Sequence, residues 1–321
     1  MRVRVLTACA IVLAHTAAPL RAQAGAGRDG TVAEEVPYRF TAFAELPPDQ
    51  REAILSAGDS ANYERARVDR AFTFRKVRYW SDGLRVVGYL YLPVSSPAAR
   101  PVIVYNRGSW IAGDQAPALL ATFHRLASAG FMVVAPQYRG SDGGEGRDEL
   151  GGADVADVLN AVALARRLPG ADTGNVFMYG ESRGGMMTYQ AIRDGAPIRA
   201  AATVGGLADI EAARASDPYS RQATLQIWPD FEARQEEIVF RRSVLRWPER
   251  ITVPLLILQG TDDRQVLPEQ SLRLASHLAR LGRRFELHVI AGGEHMLSRH
   301  AAQRDAEIAA WFRLHAAPRE D

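Results

Sequence analysis

Cysteine is almost missing from this 321-residue chain: there is one, Cys9, and it lies in an apolar stretch at the extreme amino terminus. Everything after it is therefore without disulfides, thiolate nucleophiles or Cys-ligated metals. An excess of one charge sign is lacking too. Lys+Arg number 39 against 37 for Asp+Glu, a formal net charge of +2, which gives no basis for the basic footprint of a nucleic-acid-binding domain. Long hydrophobic runs are also few. The apolar stretch Val5 to Ala14 is soon interrupted by His15, Pro19 and Arg21, and is too short for a membrane span. No internal repeat is found, and the only low-complexity tract is Gly- and Ala-rich and follows this stretch.

What the amino terminus does hold is Arg2 and Arg4, then the apolar stretch, then Ala22-Gln23-Ala24, a small-x-small cleavage pattern. Residues 1 to 24 read as a secretory signal peptide, with a retained anchor as the alternative, and the expected location is periplasmic or secreted. Cleavage after Ala24 would leave 297 of the 321 residues, enough for one large α/β domain held by its core alone. It would also remove Arg2, Arg4 and Arg21 and no acid, taking the net charge from +2 to −1.

Residues 25 to 36 are poor in large apolar groups and read as a flexible leader. Pro47 to Ala57 reads as a short helix, so residues 25 to 70 form a leader and helical segment ahead of a catalytic domain over 71 to 321. Alternation in Phe72 to Tyr79 and Leu84 to Leu92, with Ser81-Asp82-Gly83 between them, predicts an antiparallel hairpin. Short continuous apolar runs follow at Val102 to Tyr105, Phe131 to Ala135, Val176 to Tyr179, Ala200 to Val204, Leu255 to Leu258 and Phe285 to Ile290. Buried parallel strands read this way. Amphipathic stretches at Ala116 to Ser128, Val155 to Arg167, Met186 to Arg193, Glu269 to Leu281 and Arg299 to Leu314 separate them, giving a mostly parallel, doubly wound α/β sheet. About residues 207 to 248 break the rhythm and are expected to form a small helical cap that contributes to the substrate pocket, with Trp228, Phe231, Phe240 and Trp247 in it.

The chemistry centres on Gly180-Glu181-Ser182-Arg183-Gly184-Gly185, a G-x-S-x-G placed between an apolar strand and a helix. That context lifts Ser182 out as a candidate nucleophile on a sharp strand-to-helix turn. A serine hydroxyl needs a base, and the base an orienting carboxylate, which in α/β-hydrolases follow in the order Ser, acid, His. Gly260-Thr261-Asp262-Asp263 follows one strand and offers the acid, either Asp262 or Asp263. Gly292-Gly293-Glu294-His295 follows the next. The remaining histidines fall in the amino-terminal segment, in helical stretches or within a strand, leaving His295 as the base.

Several motifs in order resemble the catalytic domain of the prolyl oligopeptidase family: Gln137-Tyr138-Arg139-Gly140-Ser141, Gly151-Gly152-Ala153-Asp154-Val155-Ala156-Asp157, the Ser182 turn, Gly260-Thr261-Asp262-Asp263 with Pro268-Glu269-Gln270-Ser271, and Gly293-Glu294-His295. The resemblance covers roughly residues 75 to 315. It implies an α/β-hydrolase fold, puts the catalytic aspartate at Asp263, and gives Arg139 a structural tie to Asp154 or Asp157. The oxyanion hole is expected to combine the backbone N–H of Arg183 with that of Gly108 or Ser109 in the loop after the first parallel strand. That loop, Asn106-Arg107-Gly108-Ser109, departs from the family's His-Gly-Gly-Pro-like run, and Arg183 stands where the family commonly has an aromatic residue.

Arg107, Trp110 and Trp228 are candidate substrate contacts. Arg107 and Arg183 at the mouth of the site would suit an anionic substrate, although solvated or locally paired arginines are the plainer reading. No cofactor or metal is called for, and the expected partner is a small peptide or ester, with no nucleic acid and no membrane span once the signal is removed. Members of the family that cleave peptides often carry an amino-terminal β-propeller, for which this chain has no room. The expected activity is that of an exported serine peptidase, with a carboxylesterase and a non-catalytic binding protein of the same fold as alternatives.

Overall fold

Strand β4 (Arg100–Asn106) shows how the sequence builds two cores from one sheet. Val102 and Val104 face one apolar cluster and Ile103 and Tyr105 the other, all fully buried, because successive side chains of a strand point to opposite faces. The computed structural model describes residues 27–318 apart from 57–59, 110–112 and 217. The expected signal peptide, the one cysteine and Trp110 lie outside the described residues.

The remaining strands are β1 (Val32–Pro37), β2 (Phe72–Ser81), β3 (Leu84–Pro93), β5 (Met132–Pro136), β6 (Ala171–Glu181), β7 (Ala201–Val204), β8 (Leu255–Gly260) and β9 (Phe285–Ile290). They form one sheet in the order β1-β2-β3-β5-β4-β6-β7-β8-β9. β1, β2 and β3 pair antiparallel, β3 pairs antiparallel with β5, and from β5 onward every pairing is parallel. The helices are α1 (Pro48–Ser56), α2 (Ser60–Val68), α3 (Ala116–Ser128), α4 (Val155–Ala165), α5 (Arg183–Arg193), α6 (Ile210–Ser216), α7 (Pro218–Ile227), α8 (Phe231–Arg242), α9 (Pro268–Arg280) and α10 (Ala301–Leu314). α3 and α10, with α2, pack on the Tyr105 face, and α4, α5 and α9 on the Val104 face. The fold is the expected doubly wound α/β-hydrolase architecture. Because β5 and β6 flank β4 on opposite sides, the connections reverse direction at β4 and leave a crevice at its carboxyl end.

Two expectations need correction. Residues 32 to 36, the second part of the stretch read as flexible leader, belong with Pro37 to the edge strand β1, whose pairing with β2 places Val36 opposite Lys76. All six of its side chains are exposed, so burial leaves no apolar pattern in the sequence to mark it. The insertion at 207 to 248 is helical, as expected, but it packs down onto the α5 face through Trp228, Phe231, Ile238 and Trp247.

The ion pair left open between two aspartates belongs to Asp157. Its carboxylate accepts the Arg139 backbone N–H at 2.7 Å, Arg139 Nη2 at 2.8 Å and the Ser81 hydroxyl at 2.6 Å, all buried, while burial still pushes its pKa up against the pull of Arg139. It ties the loop after β5 to α4 and to β2. Breaking one member of such a pair strands a buried charge, so Asp157→Ala is expected to lose about 3–5 kcal/mol in urea unfolding. A loss near zero would show that the tie is dispensable.

Candidate active site

Ser182 sits between β6 and α5 with φ 53° and ψ −120°, a conformation a non-glycine residue holds only when its surroundings fix it. Those surroundings are backbone. A Cβ on Gly184 would come within 1.8 Å of the Asn106 carbonyl, one on Gly180 within 2.2 Å of the Gly184 carbonyl, and one on Gly185 within 2.5 Å of the Gly206 Cα. The glycines of the motif are therefore there for contact, letting the turn press against the ends of β4 and β7. Ser182 N–H donates to Val204 O at 2.9 Å, and Ser182 O accepts from Gly185 N and Leu207 N at 2.9 and 3.0 Å.

The loops after β8 and β9 meet beside it. His295 Nδ1 lies 2.8 Å from Asp263 Oδ2, and the carboxylate also accepts Gln259 Nε2 at 3.1 Å and the backbone N–H groups of Gln265 and Val266, both at 2.9 Å. Four acceptor contacts of this kind fix one orientation of Asp263, which is itself buried. Gln259 is held in turn by the Ser271 hydroxyl at 2.7 Å. Asp262 is exposed and its carboxylate meets only the neighbouring Thr261 hydroxyl, so geometry pairs the histidine with Asp263. The other ring nitrogen, His295 Nε2, is buried without a hydrogen-bond partner, and it borders the same cavity as Ser182.

That cavity measures about 510 Å³, within the range of small-molecule sites. Gln115, Ala118, Leu119, Thr122 and Arg125 form one wall; their spacing of three and four residues makes them one stripe of α3. Ala301 and Arg304 of α10, Ala53 of α1, and Tyr105 and Glu181 at the ends of β4 and β6 also line it. None of the described lining residues comes from 207–248, which corrects the expectation that the insertion shapes the pocket. The amino-terminal helix α1 takes that place. Every charged group around the cavity is engaged. Glu181 accepts from the hydroxyls of Tyr105 and Tyr179 and pairs with Arg304 at 3.3 Å. Arg304 binds Asp305 and the Met296 carbonyl, Arg125 binds Asp305, and Glu294 accepts Ser298 N–H. Burial, then Glu181, raise the Tyr105 pKa well above the phenol range, keeping it a neutral donor. Glu181 was visible inside the serine motif; Arg304 and Ala53 had no motif to mark them.

The arginines expected at the mouth are not free. Arg183 is 1% exposed, and its guanidinium binds Asp148 at 2.6 and 2.7 Å and Asp154 at 2.8 Å. Burial works against its charge, but these two carboxylates outweigh it and hold its pKa above the ordinary value. Arg107 borders the cavity, yet its guanidinium turns inward to backbone carbonyls and the Ser141 hydroxyl. Trp228 is buried in the core beneath Arg242, whose guanidinium carbon lies 4.2 Å from its ring centre, and does not reach the cavity. Burial outweighs an isolated arginine's preference for water wherever such acceptors are in reach, and the sequence does not reveal which acceptors those are. Gly108 lies against the nucleophile: a Cβ there would be 3.2 Å from Ser182 Cβ.

With this geometry in hand, comparison with known proteins is informative. The family model described as the prolyl oligopeptidase family matches residues 118–318. The uncharacterized peptidase YtmA of Bacillus subtilis (strain 168) is 30% identical over 205 residues, 63% of this chain and 78% of that protein. The acylamino-acid-releasing enzyme of Homo sapiens is 27% identical over 214 residues, 59% of this chain and 28% of that protein. Among solved structures, a Mycobacterium tuberculosis puromycin-hydrolyzing peptidase superposes with TM-score 0.66 at 24% identity, over 79% of this chain and 41% of that one. A Pyrococcus horikoshii acylaminoacyl peptidase gives 0.65 at 23%, over 78% and 43%. The chain spans less than half the length of these two, and the likeness to them is one of fold.

Gly205 offers a direct check on the His295–Asp263 contact. Its φ is +50°, and a Cβ there would fall 2.6 Å from His295 O, 2.9 Å from His295 Nδ1 and 3.0 Å from Asp263 Oδ2. Gly205→Ala is expected to cost about 1–3 kcal/mol in stability and to lengthen the 2.8 Å contact in a crystal structure. Unchanged stability and geometry would show slack in the site that the packing denies.

Proposed function

The chain belongs to the prolyl oligopeptidase family of serine peptidases and is a serine hydrolase; from that premise we propose that it cleaves small uncharged acyl amides through Ser182, His295 and Asp263. The observation that carries the reading is His295, clamped to Asp263 through Nδ1 with Nε2 unpartnered at the wall it shares with Ser182. Ser182 Oγ attacks the substrate carbonyl while His295 Nε2 takes its proton, and Asp263 steadies the imidazolium. The tetrahedral oxyanion is met by the N–H of Arg183, which opens α5 and so has no intrahelical acceptor, and by a second N–H from Gly108 or Ser109. His295 then protonates the leaving nitrogen, the C–N bond breaks, and an ester remains on Ser182. Water activated by His295 hydrolyses that ester, releasing a carboxylic acid and restoring the serine.

An anionic substrate is not what the cavity supports. Its charged side chains are already engaged, Glu181 with Arg304, Arg125 with Asp305, Glu294 with the Ser298 N–H and Arg107 with backbone carbonyls, so a charged side chain brought in would be desolvated without a free counter-ion. The two carboxylates that line it, Glu181 and Glu294, are both engaged, leaving no acid to hold a free peptide amino terminus. That favours a blocked amino terminus, and it keeps an ester substrate as the second reading. We further propose that residues 1–24 are a signal peptide and that the mature enzyme works outside the cytoplasm; among the described residues no helix is long and apolar enough to cross a membrane.

Ser182→Ala is expected to abolish both turnover and labelling by a fluorophosphonate, and Asp263→Asn to lower kcat by about 10⁴, whereas Asp262→Asn leaves it unchanged. Retained activity in Ser182→Ala would overturn the mechanism. On N-acetylated aminoacyl anilides, kcat/KM is expected to exceed that on the free-amine and the acidic analogues, with matched esters turned over as well; ester turnover alone would select the second reading. After expression in a bacterial host the enzyme is expected in the periplasm or medium with an amino-terminal sequence that begins at Gly25; recovery only from the cytoplasm would refute export, and an exported form starting at Met1 would refute cleavage.

A further inference from the structure

The side chain of Arg107 poses a physical problem. It is 2% exposed, its acceptors are all neutral, being the carbonyls of Gly108, Ser109 and Gln137 and the Ser141 hydroxyl at 3.0 to 3.1 Å, and no carboxylate among the described residues pairs with it. Burial, and then the nearby Arg183, push its pKa down. A cation placed there against desolvation and a like charge is expensive unless it does something an apolar residue could not.

What it holds is the loop beside the nucleophile. In a trans peptide the N–H points opposite to its carbonyl. The carbonyl of Arg107 accepts the Tyr138 hydroxyl at 2.9 Å, so the Gly108 N–H of the same peptide faces away from Tyr138. The carbonyl of Gly108 accepts Arg107 Nη1 at 3.0 Å, so the Ser109 N–H of that peptide faces away from the Arg107 guanidinium. The Ser109 carbonyl receives both Arg107 Nη1 at 3.1 Å and Arg183 Nη1 at 3.3 Å. The two guanidiniums also pack against the Tyr138 ring, with their carbons 5.0 and 4.4 Å from its centre. Arg183 is itself anchored on Asp148 and Asp154, and its backbone N–H is the other expected oxyanion donor.

Resting on the serine-hydrolase reading, we propose that Arg107, Tyr138 and Arg183 form a clamp that positions the Gly108 N–H beside the Arg183 N–H as the two donors of the oxyanion hole. Gly108 is selected over Ser109 because its Cα lies against Ser182. The three are positioning residues: Arg107 borders the cavity, but its guanidinium turns to the loop's carbonyls, and the Arg183 guanidinium and the Tyr138 ring are buried behind it. Two donors that sequence alone places in separate loops are thus joined by the side chains of those loops.

Tyr138→Phe keeps the ring and removes the hydroxyl that pins the Arg107–Gly108 peptide. Losing a whole oxyanion donor costs about 10²–10³ in kcat, so loosening one is expected to cost about tenfold. KM and the thermal midpoint are expected to stay as in the wild type, and affinity for an alkyl boronic acid, whose tetrahedral adduct on Ser182 places an oxygen at the oxyanion position, is expected to fall with kcat. Wild-type kcat and boronate affinity in folded Tyr138→Phe would overturn the clamp, as would an equal loss in kcat, 1/KM and stability. Should that variant not fold, Arg107→Ala takes its place: recovery of kcat on adding millimolar guanidinium ion supports the clamp, and no recovery refutes it. Ser182→Ala in the same assays separates the two readings, since activity surviving there removes the serine mechanism itself, whereas loss there with wild-type Tyr138→Phe removes only the clamp.

Discussion

Backbone lying directly on backbone, with no side chain between, is the constraint from which the site follows. At the carboxyl edge of the sheet Gly184 meets the Asn106 carbonyl, Gly185 meets Gly206, Gly205 meets His295 and Gly260 meets the Gly293 carbonyl, each closer than a Cβ would permit. These contacts join the loops after β4, β6, β7, β8 and β9 into one continuous surface. Ser182, Asp263 and His295 follow strands far apart in sequence, and side-chain packing alone would let each loop drift by more than the proposed chemistry tolerates. Removing Cβ atoms at the junctions makes the loops share one set of coordinates, and the strained backbone of Ser182 is a local consequence of it.

This is also why the core of the site could be read from the chain. Glycines at motif spacing after apolar runs mark where backbone must approach backbone, so the Ser182, Asp263 and His295 loops stand out, and the parallel strands themselves are legible as uninterrupted apolar runs buried on both faces. The edge strand β1 has six exposed residues and pairs through backbone groups that leave no sequence pattern. The wall of the cavity is equally silent, because Ala53, Ala118 and Ala301 act by being small. Arginine is silent for another reason: its destination depends on which acceptors the fold brings near, and Asp148 and Asp154 lie far along the chain from Arg183. The helices at 207–248 were legible, but not the face on which they pack: Trp228, Phe231 and Trp247 go into the core, and Phe240 stays exposed.

Charge burial concentrates around the same edge. Arg139 with Asp157, Arg183 with Asp148 and Asp154, and Arg304 with Asp305 and Glu181 are all largely withdrawn from water. Such pairs are weak sources of net stability, because desolvation takes back most of the Coulombic gain; what they supply is a single allowed arrangement. Apart from Arg304–Asp305, which are neighbours on α10, each spans two parts of the fold: the β5 loop to α4, the start of α5 to the 148–154 loop, the end of β6 to α10. They fix angles between units that the apolar cores would hold only loosely.

The sheet divides these duties. Tyr138 belongs to the cluster on the α5 face, where Arg107 and Arg183 pack against its ring, whereas the cavity opens on the other face among Tyr105, α3, α10 and α1. The groups of the proposed clamp are thus separated from those that line most of the cavity by the ends of β4 and β6. A substitution at Ala53, Ala118 or Ala301 changes the shape of the cavity without touching an acceptor of either arginine. One at Arg107 or Tyr138 acts on the loop beside Ser182 and leaves the far end of the cavity, at Thr122 and Arg304, as it is. The two faces meet at Ser182, Gly108 and His295, which the proposed mechanism makes the point where recognition and chemistry join, and it is there that the glycine contacts leave least room for change.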